Sequence, residues 1–256
     1  MKDILSEFQE LTEAGYREFL LTGVMIGNYR DGDRSLESLA GELVSQPGDF
    51  RIHLSSISPR TITPGLVDLL NHEKMVKHLS LSLQSGSDSV LERMNRRYTR
   101  KEYLETVHSV RRLIPRFNFT TDIIVGFPGE TEDDFQATMD TAREAAFSHI
   151  HIFRYSRRPG TPAALMKGSV PESIKTRRAA ELKELVIKQK KEYYETFNGA
   201  ESVFLSERYR GGAASGFNEY YAPVSVSARL QAGRFFTVRT FLAESGDHLT
   251  GVPVSE

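Results

Sequence analysis

From residue 2 to about residue 197 the chain alternates short apolar runs with capped helices. That alternation constrains the fold more than any other feature. Strands are expected at REFLLTG (17–23), RIHLSSIS (51–58), VKHLSLSLQSG (76–86), FNFTTDIIVGF (117–127) and SHIHIFRYS (148–156). Helices are expected over 2–14, 35–44, 63–72, after the Ser87 cap, from the Thr99 cap to about 113, over 131–146, and from Pro171 to Phe197. Their start signals are physical: Ser, Thr or Thr-Pro stands where the first free helix amides need an acceptor. The stretch DIIVGFPGETEDDF shows the unit whole. An apolar strand meets a glycine turn stiffened by Pro128, and Thr131 caps the next helix with Asp134 in the capping-box place. Short connections between alternating strands and helices are the signature of a parallel α/β sheet or barrel.

The texture changes at residue 200. ESVFLSERY, YYAPVSVSA, RFFTVRTFLA and HLTGVPV read as short strands, with GGAASG, QAG and ESGD as their separators. Four or five short strands in so little chain predict a small antiparallel β-barrel. The expected organisation is therefore a partial parallel (β/α) barrel with a long C-terminal helix over 1–198, then a small β-barrel over 199–256. The first element is a helix leading into a strand. In a βα repeat such a helix follows another strand, so a strand is expected upstream, with an open edge where it belongs and self-association through that edge.

Composition narrows the function classes. The 39% hydrophobic and 26% charged content is that of a globular protein. No apolar run approaches the roughly 18 residues of a membrane span. The N-terminus reads as an amphipathic helix rather than a signal peptide, which makes the cytoplasm the default location. A net charge of −1 gives no global attraction to polyanions, but the segment from Arg154 to Tyr194 is locally basic. It reads as a solvated helix face or as a surface for RNA. The chain has no cysteine, which excludes disulfides, thiol nucleophiles and thiolate-bound clusters held by its own residues.

In parallel α/β folds ligands bind where strands end. The five expected ends are Thr22-Gly23 with Gly27-Asn28, Ser55-Ser56, Gln84-Ser85-Gly86, Gly126-Phe127-Pro128-Gly129 and Arg154-Tyr155. All are polar, glycine-rich or both, which predicts one shared rim site suited to hydroxyls, amides or a nucleobase edge. Asp122, an acid among apolar residues, binds ligand hydroxyls or ties down a neighbour such as Thr120. His149 and His151 share a strand face, and with no carboxylate nearby in sequence they read as barrel-interior residues rather than metal ligands. No catalytic residue and no metal site are assigned.

Taken together, GYREFLLTGVMIGNY, RIHLSSISP, LSLQSGSDSVLERMNRRYT, TTDIIVGFPGETEDDF and FRYSRRPGTPAA resemble, in order and spacing, the radical S-adenosylmethionine methylthiotransferases. LERMNRRYT and YSRRPGTPAA are most similar to the branch that acts on tRNA threonylcarbamoyladenosine; the isopentenyladenosine and ribosomal-protein branches are the alternatives. The resemblance implies a partial radical-SAM barrel and a TRAM-like barrel after residue 199, with S-adenosylmethionine as cofactor and tRNA as partner. It implies cofactor contacts at Gly27, Asn28, Ser55, Ser56, Gln84, Asp122, Gly126, Pro128 and Tyr155. RNA contacts are expected at Arg157, Arg158, Lys175, Arg177, Arg178, Tyr220 and Tyr221. The family holds a 4Fe-4S cluster on a Cys-x3-Cys-x2-Cys loop that this sequence lacks. The chain is therefore expected to be inactive alone, as the part of such an enzyme past the cluster or as a cluster-free RNA-binding remnant. Met25 and Ser80 also depart from the family pattern, which relatives usually fill with Asn and His.

Overall fold

The structure is a computed structural model and describes residues 1–254. Helix α1 (Lys2–Glu13) presents Phe8 to Phe19 and Phe50, with ring centroids 4.5 and 4.9 Å away. That contact seats the helix on the outer face of β1 (Glu18–Leu21). A two-residue ribbon, β2 (Arg30–Asp31) and β3 (Arg34–Ser35), leads to α2 (Leu36–Val44). Next come β4 (Arg51–Leu54), α3 (Pro64–Leu70), β5 (His78–Ser80), α4 (Asp88–Arg93) and α5 (Arg100–Leu113). They are followed by β6 (Asn118–Val125), α6 (Glu132–Ala145), β7 (His149–Arg154) and the long α7 (Glu172–Glu195).

Strand β1 pairs parallel with β4, and β5, β6 and β7 pair parallel in that order. Single bridges from Ile52 to Met75 and from Ile57 to Leu81 join the two groups. The result is a curved parallel sheet in the order β1-β4-β5-β6-β7, with helices on its convex side. The capping boxes at Thr99 and Thr131 are formed as their sequences require. All five parallel strands are shorter than their sequence runs, two of them by half or more. The run 51–58 leaves the sheet after Leu54 and returns only at the Ile57 bridge. The run 76–86 keeps only His78–Ser80 as regular strand, because Gln84 takes a left-handed φ of 66° and bends the chain.

The second unit comprises β8 (Glu201–Arg210), β9 (Ala213–Asn218), β10 (Pro223–Val226), β11 (Arg234–Leu242) and β12 (Leu249–Pro253). They close in the order β10-β12-β11-β8-β9. Two expectations are corrected here. GGAASG is not a mere separator: most of it is strand β9, whose small residues let it approach β8 so closely that a side chain at Gly216 would strike the Leu205 carbonyl. The barrel is also mixed rather than wholly antiparallel, since β10 and β12 run parallel.

The two units share packing. Tyr194 and Phe197, at the end of α7, belong to the small barrel's core. The turn between β9 and β10 docks on the N-terminal ends of the parallel strands. There the Lys77 amide donates to Glu219 O, Asn118 Nδ2 donates to Tyr220 O, and Arg51 Nη2 donates to Phe217 O.

Candidate functional site

Period-two alternation divides each parallel strand. Leu79, Phe119, Ile123 and Ile150 point to the helices and are buried. The concave face carries Glu18, Leu20, His53, His78, Thr120 and Asp122, with His149 and His151 on β7. The in-register pairs Leu20–His53, Ser80–Thr120 and Asp122–His151 stack these groups in layers across the sheet.

One layer is bonded from strand to strand. Glu18 Oε1 lies 3.5 Å from His53 Nδ1, His53 Nε2 meets His78 Nδ1 at 2.8 Å, and His78 Nε2 meets Thr120 Oγ1 at 3.0 Å. Thr120 is thus held by His78, not by Asp122. Burial, reinforced by the neighbouring His53, pushes His78 well below the usual imidazole range, so the ring is neutral at pH 7. Burial first, then His151 and Lys190, lowers His149 as well. His149 and His151 are exposed on this face, their rings edge to face at 4.5 Å.

At the C-terminal rim the structure sorts the expected contacts by access. Asn28 and Ser56 are exposed, and Ser55, Asp122 and Tyr155 are half-buried. The Ser56 and Ser82 hydroxyls meet at 3.1 Å. The Asp122 carboxylate has no hydrogen-bond partner among the described residues. Gly27 packs on the side chain of Thr61, which leaves no room for a Cβ. Gln84 is buried, and its backbone bridges to β6 through Asp122 O and Ile124 N.

The glycine turn after β6 is packed closely against α7. Gly126 has φ +73°, and a Cβ there would collide with Cγ of Lys175. Pro128 is buried, the Gly129 amide donates to Gly168 O, and the Gly126 amide donates to Glu130 Oε1. The side chain of Glu130 folds back into the turn and pairs with Arg178 at 2.6 Å. Burial pushes the Glu130 carboxyl up, against the opposing pull of the Gly126 amide and the Arg178 guanidinium. The turn is braced from outside by α7; it is not an open cradle.

The residues expected to contact RNA differ in their access to solvent. Lys175 and Arg178 are 9% and 3% exposed; Lys175 donates to Tyr155 O, and Arg178 holds Glu130 and Glu132. Both stand in a basic run, so charge density did not reveal their burial. Arg177 is exposed but engaged with Glu132 and Glu181. Tyr220 packs on Phe197 at 5.3 Å, and Tyr221 stacks on Phe217 at 4.3 Å, so neither ring is a free stacking platform. Arg157 and Arg158 are exposed and unpaired among the described residues.

A curved parallel sheet with polar strand ends and a hydrogen-bonding concave face defines a partial (β/α) barrel. The chain belongs to the Radical SAM superfamily, whose sequence pattern matches residues 1–142. It is 41% identical to threonylcarbamoyladenosine tRNA methylthiotransferase MtaB of Thermotoga maritima over 94% of this chain and 56% of that protein. It is 42% identical to tRNA-2-methylthio-N(6)-dimethylallyladenosine synthase of Carboxydothermus hydrogenoformans over 72% of this chain and 43% of that protein. The MtaB of Bacillus subtilis is 39% identical over 75% of this chain and 44% of that protein. The chain spans about half the length of these curated relatives.

The donor set does not fit an iron–sulfur cluster. The sequence has no cysteine, and among the described residues no group of three or more His, Asp or Glu is placed to hold a metal ion. No reaction step is therefore routed through a cluster on this chain. No helix among the described residues is long and apolar enough to cross a membrane.

Proposed function

We propose that this chain is the barrel and RNA-binding portion of a tRNA methylthiotransferase acting on threonylcarbamoyladenosine next to the anticodon. The observation that carries the reading is the 41% identity to a threonylcarbamoyladenosine tRNA methylthiotransferase, sustained over 94% of the chain and so through both units. On this reading residues 1–198 are the partial radical-SAM barrel and 199–256 a TRAM-like domain. S-adenosylmethionine supplies radical-forming and methyl-donating chemistry when bound.

The residues of this chain with access to that cofactor are Asn28, Ser55, Ser56, Asp122 and Tyr155. Serine hydroxyls and the Asn28 amide suit its polar edges, and the unpartnered Asp122 carboxylate suits ribose hydroxyls or an ammonium. Gly27, Gln84, Gly126 and Pro128 act behind them by shaping the rim. Arg157 and Arg158 face the tRNA, in keeping with a cytoplasmic role. The β1 edge, where Leu20, Val24 and Met25 are exposed, is the surface for self-association; a monodisperse monomer by light scattering would remove that part.

The test compares nucleosides from tRNA of cells with an intact or a disrupted gene for this chain. Mass spectrometry should show the methylthio addition on threonylcarbamoyladenosine disappear in the disruptant. Loss on isopentenyladenosine instead would move the assignment to the other branch, and an unchanged nucleoside profile overturns the reading.

A further inference from the structure

A second cavity, of about 380 Å3, follows the concave face of the parallel strands from their N-terminal ends, where the small barrel closes against the sheet, as far as Leu54 and Ser55. Its size falls in the range of small-molecule sites, roughly 300–1,000 Å3, and its place between two units is where such sites recur. Strands β5, β6 and β7 contribute their first residues, His78, Asn118 and His149, together with Ser148. The small barrel contributes Phe217, Tyr221 and Pro223, and α7 contributes Lys190 and Tyr194.

The lining is rich in donors. Four imidazoles, those of His53, His78, His149 and His151, stand beside the hydroxyls of Ser80 and Thr120. Among the described residues no carboxylate lines the cavity. Lys190 is half-buried with its ammonium over the Tyr194 ring, 5.7 Å from the centroid, and no carboxylate lies within ion-pair distance of it. A cation held in part from water without a counter-ion favours an anion beside it. Ser80, His149 and His151 make no side-chain hydrogen bond to the described chain, so their polar atoms are free for a ligand. One apolar surface is also left open: Leu20 is 53% exposed although it sits on the concave face, next to the stacked Phe217–Tyr221 pair.

From these features we infer that the cavity binds a nucleoside monophosphate unit. The phosphate lies at Lys190 and His149, the base edge meets the Ser80 and Thr120 hydroxyls, and the base plane covers Leu20 beside the aromatic wall. The unit comes from a free nucleotide or from a nucleotide of an RNA chain; the chemistry of the site is the same for both. The cavity shares Ser55 with the rim reading, but the inference rests on Lys190, His149, Ser80 and Thr120, which that reading does not use.

The test titrates the whole chain with adenosine 5′-monophosphate and, separately, with an unstructured RNA hexamer, by calorimetry. At least one should bind saturably in the micromolar to millimolar range. Lys190→Ala should weaken it at least fivefold, Lys190→Glu should abolish it, and Lys190→Arg should retain it. Tighter binding of the hexamer with the same Lys190 dependence assigns the site to RNA, and mononucleotide binding alone assigns it to a free nucleotide. Because Lys190 is only half-buried and makes no hydrogen bond or ion pair within the described fold, its one contact being the Tyr194 ring, these variants should keep a cooperative melting curve near that of wild type. Absence of saturable binding by both probes, or binding that Lys190→Glu leaves unchanged, overturns the inference.

Discussion

Arg178 Nη1 lies 2.6 Å from Glu130 Oε1, and both side chains are almost wholly buried. The pair ties α7 to the turn after β6, across 48 residues of sequence. A buried pair of this kind adds little over a well-packed apolar one, but removing one partner strands a charge. Arg178→Met should therefore cost about 3–5 kcal/mol. The double variant Glu130→Gln, Arg178→Met should recover at least half of that. Urea denaturation of the three proteins checks it; equal losses in the single and double variants would show that the pairing is not what matters.

Gly126 gives a second, independent test of the same brace. Gly126→Ala suffers both a left-handed backbone and the Lys175 side chain in its way, whereas Gly160→Ala, at φ +82°, meets nothing within 4 Å. Backbone strain alone is worth about 1–2 kcal/mol. The Gly160 variant should lose that much, and the Gly126 variant roughly 1–3 kcal/mol more. Melting curves that shift equally for the two would remove the close-packing account.

Much of this was legible in the sequence, and the omissions have a common cause. The parallel strands, the caps at Thr99 and Thr131 and the polar rim follow from local pattern, because period, capping and turn chemistry act within a few residues. Lys175 and Arg178 belong to a basic run, and their burial depends on a turn about 45 residues away that no local pattern reports. Strand β9 was hidden because its glycines and alanines answer to the backbone of β8 rather than to strand propensity. Tyr221 is in the same class: its left-handed φ of 58° and its place between Phe217 and His53 are set by docking between the units.

His78 predicts how the fold responds to acid. Its folded value lies below the unfolded one because the charged ring would be buried beside His53. The unfolded chain thus binds the proton at a higher pH than the folded chain does. Stability is complete above about pH 6.5 and falls as pH drops below it. His78→Gln should lose less stability than wild type between pH 7.5 and pH 5.5. An identical loss in both proteins would assign the acid sensitivity elsewhere.

Tyr221 couples the two units. Its ring stacks on Phe217 within the small barrel and meets His53, 4.4 Å between centroids, on the sheet. Tyr221→Ala should cost about 2–4 kcal/mol, somewhat under the full large-to-small penalty because the ring is half-buried. Tyr221→Phe should be nearly neutral. If the coupling is real, the alanine variant should also show faster amide hydrogen exchange at Lys77 and Asn118, whose backbone and side-chain bonds to Glu219 and Tyr220 hold the interface. Unchanged exchange there would confine the effect to the small barrel.

The unequal exposure of the basic residues leads to the last prediction. Of the five cations expected to meet RNA, Lys175 and Arg178 are buried and Arg177 is paired, leaving Arg157 and Arg158 exposed and unpaired. Each phosphate contact contributes close to one unit to the dependence of log affinity on log salt. Arg157→Ala with Arg158→Ala should therefore weaken tRNA binding and make the salt slope shallower by about two. Arg177→Ala should change it by much less, because that guanidinium is neutralised by Glu132 and Glu181 in the free protein. Gel shifts at several salt concentrations separate the cases. A slope that responds to Arg177 and not to the Arg157–Arg158 pair would place the RNA on the α7 face instead of the loop after β7.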